Sequence, residues 1–166
     1  MIFLMGWLCG IVVAVLHLLI RKTSSLEKKL EIFLLYQMIF TIGITGVIGF
    51  MGHCIFFERT AQSIGWVPHR QFQFELGASE LGWAIAGFLG ILIRKPLYWL
   101  GISIIPATMY FLAGCQHMWE VVTIGNYAPG NLWTGVADFI VPLTLFVLFI
   151  WYFKVTSKGR RDFRVE

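Results

Sequence analysis

Four ionisable side chains set inside otherwise apolar stretches are the residues of this chain best suited to chemistry: His53, Glu75, His117 and Asp138. Each belongs to a different hydrophobic segment, and all fall within about two turns of the same end of their segments. An ionisable group in such a place is costly to bury and marks a functional site by default. Imidazole and carboxylate together suit zinc, iron or copper, so the four are expected as metal ligands or proton carriers. His117 and Glu120 stand three residues apart and share a face, in the reverse of the Glu-x-x-His order of di-iron bundles. Glu58, Arg59, His69, Gln73, Glu120, Asn126 and Asn131 gather at the same end and are expected to supply supporting hydrogen bonds.

The same groups suit an amphipathic organic ligand, such as a quinone-like molecule or a lipid head group. Its tail would lie against Phe56, Phe57, Phe72 and Phe74, and Gln71, Gln73, Asn126 and Asn131 would offer uncharged donors and acceptors. Any one of these polar residues alone reads as an interhelical hydrogen bond. The functional reading rests on four of them converging from four segments. His17 has no acidic neighbour in its segment and reads as structural. Glu80 lies on a different face from Glu75 and points to another helix or to a partner protein.

The elements that position these residues follow from composition. The chain has 166 residues, 58% hydrophobic and 13% charged, far more apolar than a soluble domain. An all-α, polytopic transmembrane helical bundle is expected. Its five apolar spans cover about residues 2–20, 30–57, 72–93, 97–118 and 136–153, each long enough to cross a bilayer. The chain reads as one transmembrane domain with a basic tail at 154–166. The first span lacks a positive leading region and a small-residue cleavage site, so it reads as a retained helix.

Eleven of the thirteen Lys and Arg residues fall on one side of this arrangement: Arg21, Lys22, Lys28, Lys29, Arg94, Lys95, Lys154, Lys158, Arg160, Arg161 and Arg164. Only Arg59 and Arg70 fall on the other. The bias predicts an outside N-terminus and a cytoplasmic C-terminus. The net charge of +4 is a topology signal of this kind, with no basic face for nucleic acid, and the tail is expected to meet anionic lipid. Trp66, Trp119, Tyr127 and Trp133 read as interfacial anchors.

Small residues at helical spacing predict where helices approach closely: Gly46, Gly49 and Gly52 in the second span, and Ser79, Gly82, Ala86 and Gly90 in the third. In lipid such faces permit tight packing. Tyr110, Gly114 and His117 share a face of the fourth span, and Asn131, Gly135, Asp138 and Pro142 share one of the fifth. Cys9, Cys54 and Cys115 show no CxxC spacing, and only Cys54 with Cys115 would be candidates for a disulfide. Phosphate-binding, zincin, nucleophile-elbow and haem-attachment motifs are absent, and no catalytic residue is assigned.

Ile64-Gly65-Trp66, the run Phe72-Gln73-Phe74-Glu75-Leu76-Gly77, Gly114-Cys115-Gln116-His117 and the stretch from Asn126 to Asn131 resemble a family of bacterial and archaeal integral membrane proteins of unknown function. The broad pattern is similar to DoxX-like four-helix membrane proteins. The resemblance covers about residues 46–148. It implies a four-helix core with the first span added, residence in the cytoplasmic membrane, and weight on His53, Gln73, Glu75, His117, Asn126, Asn131 and Asp138.

Two functions remain open at this point. One is an outward-facing His/carboxylate site binding a metal or a small redox-related ligand. The other is a non-catalytic subunit of a larger membrane assembly, or a homo-oligomer, joined through small-residue faces, Glu80 and the loops. The charge bias makes the first testable statement. A fluorescent-protein reporter that matures only in the cytoplasm is expected to shine when fused to the C-terminus and stay dark at the N-terminus; the opposite pattern would overturn the orientation.

Overall fold

Five helices of the computed structural model are long and apolar enough to cross a membrane. They are α1 (Ile2–Arg21), α2 (Leu26–Ile55), α4 (Arg70–Ile93), α5 (Pro96–Thr123) and α6 (Pro129–Asp162), with a short α3 (Phe57–Ser63) after α2. The structure describes residues 2–162, with side chains described over 2–157; the basic side chains expected from Lys158 onward lie outside these. Among the described residues there is no strand. A helix satisfies its own backbone in a medium without water, so it continues past the apolar span until a cap or proline stops it. The chain after α4 turns through Arg94 in the left-handed region (φ 47°), and Pro96 opens α5. Pro129 likewise starts α6 well before Val136, which carries Asn131 and Gly135 into the bundle.

Helix α2 is the central element and is not regular. It winds as a π-helix over Met38–Ile44 and again over Met51–Ile55, with one α-helical stretch, Thr45–Phe50, between. Residues spaced by four in an α-helix drift round the axis by about 40° per step, whereas wider π turns bring them back. Gln37, Thr41, Thr45 and Gly49, spaced by four, are all buried. Thr41 donates to Gln37 Oε1, Thr45 donates to the Thr41 carbonyl, and Gln37 Nε2 donates to the Trp7 carbonyl at 3.4 Å. Helix α1 lies along this row through Gly6, against the Thr45 methyl, and Gly10, against the Gln37 amide. Its buried residues, Gly6, Gly10 and Ala14, face the bundle.

The two ends of the bundle are filled differently. Towards the end carrying Arg21 and Arg94, Leu30, Leu34, Met38, Trp99, Leu145, Phe149 and Tyr152 form a dense core. Trp99 is fully buried against Gly90 and donates to its carbonyl at 2.8 Å. Gly46 also packs: a methyl group there would lie 2.8 Å from the Ala84 Cβ and 2.9 Å from the Glu80 carbonyl. Gly82 does not. It is exposed, with nothing within 4 Å of an added Cβ, because two residues from Glu80 the helix has turned its face outward.

The contrast gives a stability prediction. Gly46→Leu overpacks the α2–α4 crossing and is expected to destabilise by about 1–3 kcal/mol, while Gly82→Leu stays within about 0.5 kcal/mol of the parent. Thermal unfolding in mild detergent measures both, and equal losses would contradict the packing described.

Candidate functional site

At the opposite end the helices form a partly open cavity of about 620 Å³. Ile2 and Phe3 of α1, Ile48, Gly49, Gly52 and His53 of α2, and Phe72, Leu76 and Glu80 of α4 line it on one side. Met109, Tyr110, Ala113, Gln116 and His117 of α5, with Pro129, Gly130, Thr134 and Asp138 of α6, line the other. Thr60, Ser63, Ile64 and Trp66 lie across the end. The walls are largely apolar. Their polar groups are organised as two couples, each formed where two helices cross on glycine.

In the first couple, His53 Nε2 of α2 faces Glu80 Oε2 of α4 at 3.9 Å. A methyl group on Gly49 would lie 2.5 Å from that carboxylate oxygen, and one on Gly77 would lie 3.2 Å from the His53 Cβ. Each partner thus sits against a glycine of the other's helix. The second couple repeats the device. His117 Nε2 of α5 faces Asp138 Oδ2 of α6 at 4.0 Å, while an added Cβ on Gly114 would meet the Asp138 Cβ at 3.1 Å and one on Gly135 the His117 Cβ at 2.9 Å.

The far nitrogen of each imidazole is held by an amide. His53 Nδ1 bonds Gln73 Oε1, and His117 Nδ1 bonds Asn131 Oδ1 at 2.6 Å. Asn131 Nδ2 is committed to the carbonyls of His117 and Asn126, at 3.2 and 2.9 Å, so its Oδ1 is the acceptor. In His117 Nδ1 therefore carries a hydrogen, and in both histidines Nε2 is the atom turned to the carboxyl group. Neither oxygen of Glu80, nor Asp138 Oδ1, nor the Tyr110 hydroxyl has a hydrogen-bond partner among the described residues, and all are buried. Unsatisfied polar atoms in an apolar wall carry a desolvation cost, which a ligand offering hydrogen bonds or charge would offset.

A polar cap covers His117. Trp66 stacks on its ring at 5.5 Å between centroids and donates from Nε1 to both Glu120 oxygens, at 2.8 and 3.0 Å. Glu120 also accepts from Asn126 Nδ2 at 2.8 Å and Gln116 Nε2 at 3.1 Å. Gly65, at φ 77°, makes the turn that brings Trp66 in, and no side chain would fit there beside Asn126.

Of the residues singled out in the sequence, His53, His117 and Asp138 line the cavity, and Gln73, Asn131, Glu120 and Asn126 hold them or their cap. Glu75, expected beside them, is exposed on α4 and does not line the cavity; five residues further on, Glu80 does. Five positions turn an α-helix by about 140° beyond a full circle, so the two carboxyl groups cannot share a face. Glu58, Arg59 and His69 are exposed in α3 and the loop after it and do not reach either couple. Trp66 belongs to the cap, whereas Trp119, Tyr127 and Trp133 are exposed as anchors would be. Cys9, Cys54 and Cys115 are free. Tyr110, a face-mate of His117 in the sequence, also lines the cavity. Glycine one turn before a polar residue was the available signal: Gly49 before His53, Gly77 before Glu80, Gly114 before His117, Gly135 before Asp138.

A sequence profile for a family of unknown function, DUF6790, matches residues 1–158. Searches of curated proteins and of solved structures found no match.

The cap makes its own prediction. Glu120→Ala strands the Trp66 and Asn126 donors and is expected to cost about 1–3 kcal/mol, with faster amide hydrogen exchange over residues 64–66. Unchanged exchange there would show that Glu120 does not hold the cap.

Proposed function

We propose that this chain, which belongs to the DUF6790 family, is a membrane-embedded binding protein that holds a small amphipathic organic molecule. The observation that carries this reading is the cavity of about 620 Å³ with apolar walls and a few convergent, unpartnered polar atoms. That combination of size, apolar lining and sparse polar groups is typical of small-molecule sites. The apolar body of the ligand would lie against Ile48, Phe72, Leu76, Met109 and Ala113, and its polar head would meet Glu80, Tyr110 and Asp138.

An organic head suits the donor set better than a metal ion does. The imidazoles and carboxyl groups come as two separate couples, and among the described residues no three His, Cys, Asp or Glu side chains gather as a metal set. A redox-related molecule of the quinone type remains within this proposal as one kind of amphipathic ligand.

The setting we propose is the cytoplasmic membrane of a bacterial or archaeal cell. The Lys and Arg distribution supports a cavity in the outer half of the bilayer, with the N-terminus outside and the C-terminus in the cytoplasm. A likeness to DoxX-like proteins belongs to the same reading. A second role, docking on another membrane protein, is favoured by the open surface at Gly82 beside exposed Ala78 and Ser79; it predicts a co-purifying protein that Gly82→Leu releases.

The binding reading is tested by filling the cavity. Mass spectrometry of the intact protein, released gently from nanodiscs, is expected to show a small organic adduct on the parent chain and none on Ala113→Trp, whose indole would occupy part of the cavity. A parent chain free of adduct, or an adduct retained by a folded Ala113→Trp, would count against the cavity as its site.

A further inference from the structure

We propose that the cavity selects a lipophilic cation, an ammonium- or phosphonium-type head on an apolar body, and that this cation displaces protons held by the two His–carboxyl couples. The inference rests on the binding reading above and names the class of ligand.

Charge complementarity carries it. Among the described residues lining the cavity, Glu80 and Asp138 are the acidic side chains, and no Lys or Arg lines it. Glu80 is fully buried, and both its oxygens lack a hydrogen-bond partner, as does Asp138 Oδ1. A buried carboxylate needs a compensating positive charge close by. In each couple the nearest group able to hold one is imidazole Nε2, because Nδ1 is turned away to an amide side chain. At 3.9 and 4.0 Å the two partners are too far apart for a direct hydrogen bond, but a proton held on the imidazole there would compensate the carboxylate electrostatically.

A ligand cation can take over that compensation. The couple then releases its proton to solvent, the carboxylate faces the ligand, and the imidazole is neutral; one proton leaves for each couple that is used, and no bond to the ligand forms. An anionic head cannot take the proton's place, and no Lys or Arg among the described residues lining the cavity would compensate its charge. Phe3, packed on Tyr110 at 4.3 Å between centroids, and the Phe72 and Trp66 rings offer aromatic surface that also attracts a cation.

The groups acting on each carboxyl define the pH behaviour. Glu80 is faced by His53 and Cys54 from α2 and by Tyr110 from α5. Asp138 is faced by His117 and Tyr110 from α5. Glu120 acts on His117 from the cap. Protons and the cation compete for the same carboxylates, so cation binding weakens as pH falls.

Tetraphenylphosphonium and tetraphenylborate share shape and differ in the sign of their charge. Equilibrium dialysis of each against the purified full chain, with empty micelles as the blank, is expected to give saturable phosphonium binding. Borate binding should be at least about tenfold weaker. Phosphonium affinity should drop about tenfold from mildly alkaline to mildly acidic buffer, and weakly buffered solution should acidify on binding. Glu80→Gln combined with Asp138→Asn is expected to abolish the difference between the two ions. Should that variant fail to fold, the comparison on the parent chain still decides. Equal binding of the two ions, or phosphonium binding indifferent to pH, would overturn the proposal. An adduct that Ala113→Trp removes, together with no phosphonium binding, would sink the cation selectivity alone; loss of both would sink the cavity as a binding site.

Discussion

Placing a carboxyl group inside a helix bundle that faces lipid is the constraint on which the rest of this structure turns. Hydrocarbon offers no water to solvate it, so room and electrostatic company have to come from neighbouring helices. Glycine supplies the room. Gly49 leaves the space that Glu80 occupies, and Gly77 lets the His53 backbone approach close enough for its ring to face that carboxyl. Gly114 and Gly135 do the same for Asp138 and His117. Without these four positions the crossings would open and both couples would separate.

The remaining architecture keeps those crossings in place. The π segments of α2 hold Gln37, Thr41, Thr45 and Gly49 buried along one row, and α1 packs on that row through its own glycines. Below, Trp99, Met38 and Phe149 fill the space between helices densely. Above, Glu120 gathers Trp66, Gln116 and Asn126 into a cap over His117. A filled half and a hollow half follow from where the large apolar residues fall along the helices. The hollow half is where the polar couples are, which is the arrangement a ligand-binding bundle requires.

As proposed, the couples give this cavity its discrimination. Two imidazoles held by amide side chains, each turned to a carboxyl group, form an acceptor-rich end to an otherwise apolar chamber. An amphipathic molecule bearing positive charge satisfies both parts at once: its body replaces lipid against the apolar walls, and its head takes the place of the proton. The same geometry would disfavour an anionic head group.

The sequence by itself determined that this is an all-α bundle with five helices able to cross a membrane, because length and hydropathy are properties of each segment alone. It also marked His53, His117 and Asp138, whose rarity in apolar stretches is visible without coordinates, and Gly46, Gly49 and Gly90 as packing residues. Rotation about each helix axis was decided only by the tertiary structure. Glu75 and Glu80 are equally conspicuous in the sequence, and which of them faces inward depends on how α4 rolls against the glycines of α2. Gly82 turns outward for the same reason. The π turns, the Trp66 cap and the pairing of particular histidines with particular carboxyl groups likewise arise from contacts between segments far apart in the chain. The pattern within any one segment does not encode them, since hydropathy records how apolar a helix is while packing alone sets which side it presents.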